Sequence, residues 1–331
     1  MAISKSMSTT SSEAQRSPQQ TTQHGFRTVF EMLRALATTK PLTRSFAALG
    51  GTRGFKTAPL ADGDLSSVRS KFTLSGKNYV ITGGGRGIGY AAARAIAEFG
   101  GNISILDAGP EPVKDFANLE REFGVKTKYL RTDVANEASL IKAFEETIAD
   151  FKTLDGCVTA AGICPEGPFV DHTWDQVRKC FDVNIGGTYF SAQLATKYIL
   201  DQGTGGSIVL IASISGHCAT PGHRLSAYNA SKGAVKMLGT ALSVELGPSN
   251  IRVNSISPGY TDTEMLTPLK QKEPKRIELM NKEPPMNRIG TRNDLAPAII
   301  YLLSDASLYT TGADIVIDGG LHSGRIRSPF I

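Results

Sequence analysis

The segment SAYNASKGAVKM, residues 226–237, places a phenol and an amine four residues apart, at Tyr228 and Lys232. On a helix this spacing puts both side chains on one face, one turn apart. A phenol titrates at about 10, and a nearby ammonium favours the phenolate and lowers that pKa. The pair could therefore exchange a proton with a reacting oxygen near neutral pH, although the same spacing also occurs on ordinary helix faces.

A glycine-rich loop, TGGGRGIG at residues 82–89, follows the first predicted strand and opens an alanine-rich helix. Glycines at these positions permit a tight turn, close approach of a phosphate and close packing of the helix on the sheet. The free amides at the start of that helix suit a pyrophosphate. This context indicates a dinucleotide site rather than a plain loop. The loop residues that we expect at the dinucleotide are Gly83, Arg86, Gly87, Ile88 and Gly89.

Two acidic residues end the next two predicted strands. Asp107 closes the second strand, where a carboxylate binds ribose hydroxyls and repels a 2′-phosphate, so we predict NAD as the preferred cofactor. NADP is the alternative, because the guanidinium of Arg86 could pair with that phosphate. Asp133, followed by Val134, closes the third strand and is placed to reach the adenine. An N-cap of the following helix is the other interpretation of Asp133.

Short apolar runs rich in β-branched residues alternate with helical segments from Phe72 onward. Seven of these runs are predicted as strands: NYVITG, NISILD, KTKYLRTDV, GCVTAAG, SIVLIAS, IRVNSISPG and DIVIDGG. Strand–helix alternation of this depth indicates a parallel sheet with helices on both faces. The predicted fold is therefore α/β, a Rossmann-type doubly wound seven-stranded parallel sheet in a single domain over residues 72–322.

Four features occur in one order along the chain: the glycine loop 82–89, Ser213 after the fifth strand, Tyr228-x-x-x-Lys232, and Pro258-Gly259. In this order they resemble the short-chain dehydrogenase/reductase family. The segments TYFSAQLATKYIL, SISGHCATP and SAYNASKGAV resemble its fungal polyol and ketose reductases, of the mannitol, arabinitol, sorbose and xylulose type.

The resemblance implies an NAD(P)-dependent oxidoreductase that interconverts a ketone and a secondary alcohol, with a polyol or ketose as the first expectation. An intermediate of secondary metabolism is the alternative substrate. A non-catalytic dinucleotide sensor is the alternative of another class, and it is disfavoured because Ser213, Tyr228 and Lys232 are all present.

Catalytic roles follow from the resemblance. Tyr228 would be the general acid and base and would also contact the cofactor, and Lys232 would lower the pKa of Tyr228 and hold the nicotinamide ribose. Ser213 would bind the substrate oxygen, with Ser215 as the other candidate. Asn184, within a predicted helix over residues 174–200, would keep a relay water near the lysine.

The resemblance also adds contacts to the cofactor after the fourth and sixth strands. These are Ala161, Gly162, Pro258, Gly259, Thr261 and Thr263. The motif TAAG at 159–162 lacks the asparagine that usually braces the central strand in the family. The loop 217–225 is expected over the substrate, together with His217, Cys218 and His223 near the site. Residues 264–288 are named the lid segment. They are predicted to form a mobile lid over the substrate rather than a solvated surface excursion.

Residues 1–71 are predicted to be a disordered, basic extension, and residues 323–331 a C-terminal tail. Apolar residues recur at helical spacing over 26–36 with interleaved arginines, which resembles a mitochondrial transit segment. The expected compartment is the cytoplasm, or the mitochondrion if this segment is a transit peptide.

Composition limits the function classes. The net charge of +5 comes from 36 basic and 31 acidic residues, with the basic excess in the first sixty positions, so a nucleic-acid partner is not expected. The four cysteines form no C-x-x-C pair, which favours free thiols and no metal site. No apolar run reaches the length of a membrane span. The partners expected are a small carbonyl or alcohol substrate and further copies of the chain, since the helices at 174–200 and 227–247 resemble those that build homodimers and homotetramers in the family.

Overall fold

The computed structural model describes residues 67–324. The predicted extension up to residue 66, its transit-like segment and residues 325–331 of the predicted tail lie outside the described residues. Within 67–324, no helix is both long and apolar enough to cross a membrane.

Seven parallel strands form one sheet in the order β3-β2-β1-β4-β5-β6-β9. All seven predicted strands are present, so the predicted fold class is confirmed. The strands of the described chain are β1 Asn78–Thr82, β2 Asn102–Asp107, β3 Thr127–Arg131, β4 Gly156–Thr159, β5 Gly206–Ile211, β6 Ile251–Pro258, β7 Thr261–Asp262, β8 Gly290–Thr291 and β9 Asp314–Ile317. The strand order reverses between β1 and β4, and ligands bind beyond the carboxyl ends of the strands at such a switch point.

Nine α-helices are found between residues 67 and 324. They are α1 Gly87–Glu98, α2 Leu119–Phe123, α3 Glu137–Phe151, α4 Trp174–Phe181, α5 Gly187–Gln202, α6 Ser226–Leu246, α7 Thr267–Lys272, α8 Pro274–Lys282 and α9 Ala296–Leu303. The predicted helix over 174–200 is α4 and α5, joined by one π-helical turn at Asp182–Gly186. The lid segment contains α7 and α8. These two helices were not predicted, because the segment is rich in proline and charged residues.

Local sequence explains where α3 and α4 begin. The side chain of Asn136 accepts a hydrogen bond from the backbone N–H of Ser139 and caps α3. Asp133 is therefore not the N-cap of this helix, and that interpretation is wrong. Thr173 begins α4 with a reciprocal capping box to Gln176.

The apolar core lies on both faces of the sheet, because successive residues of a strand point to opposite faces. In β1, Tyr79 and Ile81 pack into the cluster that contains α1 and α9, whereas Val80 packs with Phe144 of α3. All five residues of β1 are buried. This burial explains why the strand reads as a nearly continuous apolar run rather than an alternating one.

Candidate active site

The glycine loop is a tight backbone cradle at the end of β1. A Cβ on Gly83 would lie 2.6 Å from the Cα of Ala161, and one on Gly89 would lie 2.2 Å from the carbonyl oxygen of Gly83. Gly83 and Gly87 have φ of +66° and +60°, which favours glycine. Arg86 precedes α1 in extended conformation and no side chain caps the helix, whose first amides have no partner within it. These residues fit a bound pyrophosphate.

Asp107 lies beside this cradle. Its carboxylate accepts hydrogen bonds from the backbone N–H groups of Gly85, at 2.9 Å, and Gly109, at 2.8 Å. A carboxylate has about four lone-pair sites, so it can also accept from ribose hydroxyls. Asp107 thus shapes the cradle in addition to the cofactor contact predicted for it.

Ser213 and Tyr228 meet at the carboxyl end of β5. Ser213 is buried and caps the turn Ile214–Gly216, where its hydroxyl accepts a hydrogen bond from the backbone N–H of Ser215 at 3.1 Å. Ser213 also lies close enough to Tyr228 for its hydroxyl to lower the pKa of the phenol. Ser213 therefore stays the first of the two serine candidates.

Burial dominates the ionisation of Tyr228. It raises the pKa of the phenol well above the ordinary value, the nearby Cys164 raises it further, and the hydroxyl of Ser213 opposes the shift. A lowering of this pKa by Lys232 stays a prediction. The ammonium of Lys232 lies 5.7 Å from the Tyr228 ring centre and donates to the carbonyl of Ile211 at 2.8 Å. Burial lowers the pKa of Lys232 to about 8.

Asn184 connects the lysine to the loop after β4. It lies in the π-helical turn, a feature often found at functional sites. Its side-chain oxygen accepts from the N–H of Ile163 at 2.8 Å, and its amide donates to the Ile163 carbonyl at 2.9 Å. A Cβ on Gly162 would lie 3.4 Å from Asn184 Oδ1 and 3.7 Å from Lys232 Nζ. Asn184 thus braces the segment after TAAG, where the family's usual asparagine is absent.

Comparisons with known proteins agree with this geometry. A family model described as enoyl-(acyl carrier protein) reductase matches residues 83–322. A crystal structure of a short-chain type dehydrogenase/reductase from Mycobacterium marinum is 36% identical, with a TM-score of 0.74, and covers 77% of this chain and 99% of that chain. The chain belongs to the short-chain dehydrogenase/reductase family.

Two curated relatives have related activities in their names. A sorbose reductase from Schizosaccharomyces pombe is 37% identical over 257 residues, which are 77% of this chain and 99% of the relative. An NADP-dependent mannitol dehydrogenase from Aureobasidium melanogenum is 37% identical over 252 residues, 75% of this chain and 93% of the relative. Like other short-chain dehydrogenases/reductases, the protein is a dinucleotide-dependent oxidoreductase that acts on CH–OH groups.

The remaining residues predicted to contact the cofactor lie after β3 and after β6. Val134 is buried beneath α5, where a Cβ on Gly187 would meet it at 2.6 Å, and Asp133 is exposed beside it. After β6, which ends at Pro258, the chain turns at Gly259 against Asp318. The predicted contact residues after this turn are Thr261, which is buried in β7, and Thr263, whose Cβ lies 3.8 Å from the Cβ position of Gly87.

Sequence reasoning missed Glu264 as a neighbour of the glycine loop, whereas His217 and His223 were expected near the site. Glu264 brings a carboxylate oxygen to 3.6 Å from the Cβ position of Gly87, and no local pattern indicates this. Cys164 lies near Tyr228, and burial raises the pKa of its thiol to about 12. His223 contacts the lid segment through Arg276. His217 instead binds Asp314 of β9 at 2.5 Å and Ser257 of β6 at 3.2 Å.

Proposed function

We propose that the protein is a ketose reductase, which reduces a ketose to its polyol and catalyses the reverse oxidation. The observation that carries this proposal is the placement of Tyr228 beside the buried Lys232 at the end of β5, with the lysine amine 5.7 Å from the centre of the phenol ring. The names of the sorbose reductase and mannitol dehydrogenase relatives support the substrate class.

Tyr228 is proposed as the proton donor to the carbonyl oxygen. The bound dinucleotide supplies the hydride in reduction. Because burial raises its pKa, Tyr228 is a neutral phenol at physiological pH and is ready to donate its proton. Ser213 would orient the same oxygen and stabilise the charge that develops on it. Positioned proton transfer of this kind contributes about 10²- to 10⁴-fold to the rate.

Lys232 and Asn184 are proposed to support this transfer. Lys232 is 4% exposed and its amine is fixed by the Ile211 carbonyl, so its remaining N–H groups can donate to the nicotinamide ribose. Asn184 would act as a positioning residue that keeps the segment after β4 beside the lysine. The proposed cofactor residues are those predicted from the sequence.

NAD is the proposed cofactor. The negative charge of Asp107 lies beside the cradle, where it would repel the 2′-phosphate of NADP. NADP is the alternative supported by Arg86, which is exposed in the loop, and by the name of the mannitol dehydrogenase relative.

The deciding experiment measures oxidation of NADH and of NADPH with fructose, sorbose, xylulose and ribulose, and with apolar ketones. We expect turnover of at least one ketose, and a loss of about 10²-fold or more in kcat for Tyr228→Phe, with a change in dinucleotide Kd of less than about threefold. Tyr309→Phe, at a fully exposed tyrosine before β9, is the matched control and should keep full activity. Turnover of apolar ketones alone would overturn the ketose proposal, and turnover with NADPH alone would overturn the NAD proposal.

We also propose that the protein forms homodimers or homotetramers through α5 and α6. These helices expose the large apolar side chains of Tyr189, Phe190, Met237 and Val244, which suit an interface. Light scattering of the full chain would show a monomer if this is wrong. The proposed compartment is the cytoplasm, with the mitochondrion as the alternative, and imaging of the full chain and of a variant without residues 1–66 distinguishes them.

A further inference from the structure

A series of hydrogen bonds and ion pairs connects the lid segment to two loops of the Rossmann domain. Arg276 of α8 donates from Nη2 to Glu166 in the loop after β4, at 2.5 Å, and to Nδ1 of His223 in the loop before α6, at 2.7 Å. Tyr260, which follows β6, lies 2.9 Å from the other ring nitrogen of His223 and donates to Glu283 at 2.7 Å. The lid segment is thus attached at both ends of α8.

The directions of these hydrogen bonds follow from chemistry. A guanidinium can only donate, so Nδ1 of His223 must accept from Arg276. Because Tyr260 gives its proton to Glu283, its oxygen accepts from Nε2–H of His223. Donors and acceptors therefore match from Arg276 through to Glu283, which fixes the orientation of each group.

Arg276 is the residue of α8 that contacts both loops. Its side chain is 17% exposed, whereas that of Glu166 is 33% exposed. It also lies 3.6 Å from Glu273, one turn earlier in the lid segment. An isolated exposed ion pair contributes little to stability, but a partly enclosed guanidinium that joins two loops restrains the helix that carries it.

Cys164 lies between these contacts and the catalytic residues in its electrostatic interactions. Cys164 is within electrostatic range of Glu166 and Arg276, and also of Lys232. The same cysteine affects the pKa of Tyr228. A cavity of about 610 Å³ is lined by His223, Arg276, Leu279, Met280 and Glu283, among others. The cavity lies between α8 and the loop before α6, and its lining surface is mostly apolar although charged residues surround it.

We propose that Arg276 is the positioning residue of the lid segment, which it holds against the loop after β4 through Glu166 and against the loop before α6 through His223. The proposal does not depend on which class of ketone the protein reduces.

The test is a double-mutant cycle of Glu166→Gln, Arg276→Gln and the double variant in the full chain. Hydrogen–deuterium exchange over residues 267–282 with bound dinucleotide needs no substrate, so it tests positioning even if no ketose is turned over. We expect faster exchange there in both single variants, and no further increase in the double variant. Lys282→Gln, at the exposed last residue of α8, is the matched control and should behave as wild type.

The kinetic readout uses the ketose with the best turnover. Each single variant should raise KM by about tenfold while kcat changes less than about threefold and dinucleotide Kd stays unchanged. Wild-type exchange in Arg276→Gln, or single-variant effects that multiply in the double variant, would overturn the positioning role.

Discussion

The carboxylate of Asp107 accepts a hydrogen bond from the backbone N–H of Gly85 at 2.9 Å. The residue expected to choose between NAD and NADP therefore also supports the glycine loop that receives the pyrophosphate. A Cβ on Gly85 would lie 2.9 Å from the Asp107 carboxyl carbon, so the contact depends on the absence of a side chain at Gly85.

Asp107→Asn should change cofactor preference and loop support together. Removal of the charge should lower the ratio of the NADPH Kd to the NADH Kd by about tenfold, which corresponds to ~1.4 kcal/mol. NADH binding itself should weaken, because an amide retains only one of the two accepting oxygens. Fluorescence titration with each dinucleotide measures both effects. Asp133→Asn, at an exposed residue predicted near the adenine, is the control and should leave the ratio of the two Kd values unchanged. If Asp107→Asn also leaves this ratio unchanged, the charge of Asp107 does not select the cofactor.

Much of the fold could be predicted from sequence because the relevant signals are local. The buried strand NYVIT, the glycine turn after it and the alanine-rich α1 are adjacent in the chain, and each favours the same structure. The helices of the lid segment were not predicted, because Pro274 suggests a break although proline is tolerated in the first turn of a helix.

The site could be predicted only where its chemistry is carried by spacing. Tyr228 and Lys232 share a helix, so their proximity follows from four residues of separation. The contact between Glu166 and Arg276 joins residues 110 positions apart, and no sequence pattern indicates it. The desolvation that raises the pKa of Tyr228 was missed for a similar reason, since it depends on atoms packed from other segments.

Gly89→Ala should abolish dinucleotide binding. The added methyl group would lie 2.2 Å from the carbonyl oxygen of Gly83, and backbone on both sides leaves no room to move. Gly233→Ala in α6 is the matched control, because its Cβ position has no described atom within 4 Å. That control should stabilise the helix by about 0.5–1 kcal/mol. Chemical denaturation and NADH titration of both variants check the prediction, and wild-type affinity in Gly89→Ala would contradict it.

Lys232→Met should abolish turnover and change how stability depends on pH. Burial lowers the pKa of Lys232 from 10.5 to about 8, so between these values the unfolded chain binds the proton that the folded chain has lost. The free energy of unfolding of the wild type therefore gains a contribution as pH rises from about 8 to 10.5. The methionine variant lacks this contribution. The free energy of unfolding of the wild type, minus that of the variant, should therefore rise by about 2 kcal/mol between about pH 7 and pH 9.5.

Urea unfolding at the two pH values measures this difference. Lys236→Met, one turn further along α6, is the control and should show a smaller change. A difference between wild type and Lys232→Met that stays constant with pH would show that the amine is not desolvated in the folded protein.

Glu264→Gln should tighten dinucleotide binding. Its Oε1 pairs with Arg292 at 3.1 Å, while Oε2 is buried without a hydrogen-bond partner in the described part of the chain. That oxygen lies 3.6 Å from the Cβ position of Gly87, the first residue of α1, where a pyrophosphate would bind. The carboxylate and the pyrophosphate would repel each other, and glutamine keeps the shape while removing the charge. We expect Kd to fall by about tenfold for NADH and NADPH alike, or ~1.4 kcal/mol, because both carry the pyrophosphate.

This equal fall in the two Kd values separates the effect of Glu264 from that of Asp107, which changes the ratio of the NADPH Kd to the NADH Kd. Glu273→Gln, an exposed carboxylate of the lid segment, should leave both Kd values unchanged. Weaker binding in Glu264→Gln would mean that its ion pair with Arg292 supports the cradle more than its charge opposes the phosphate.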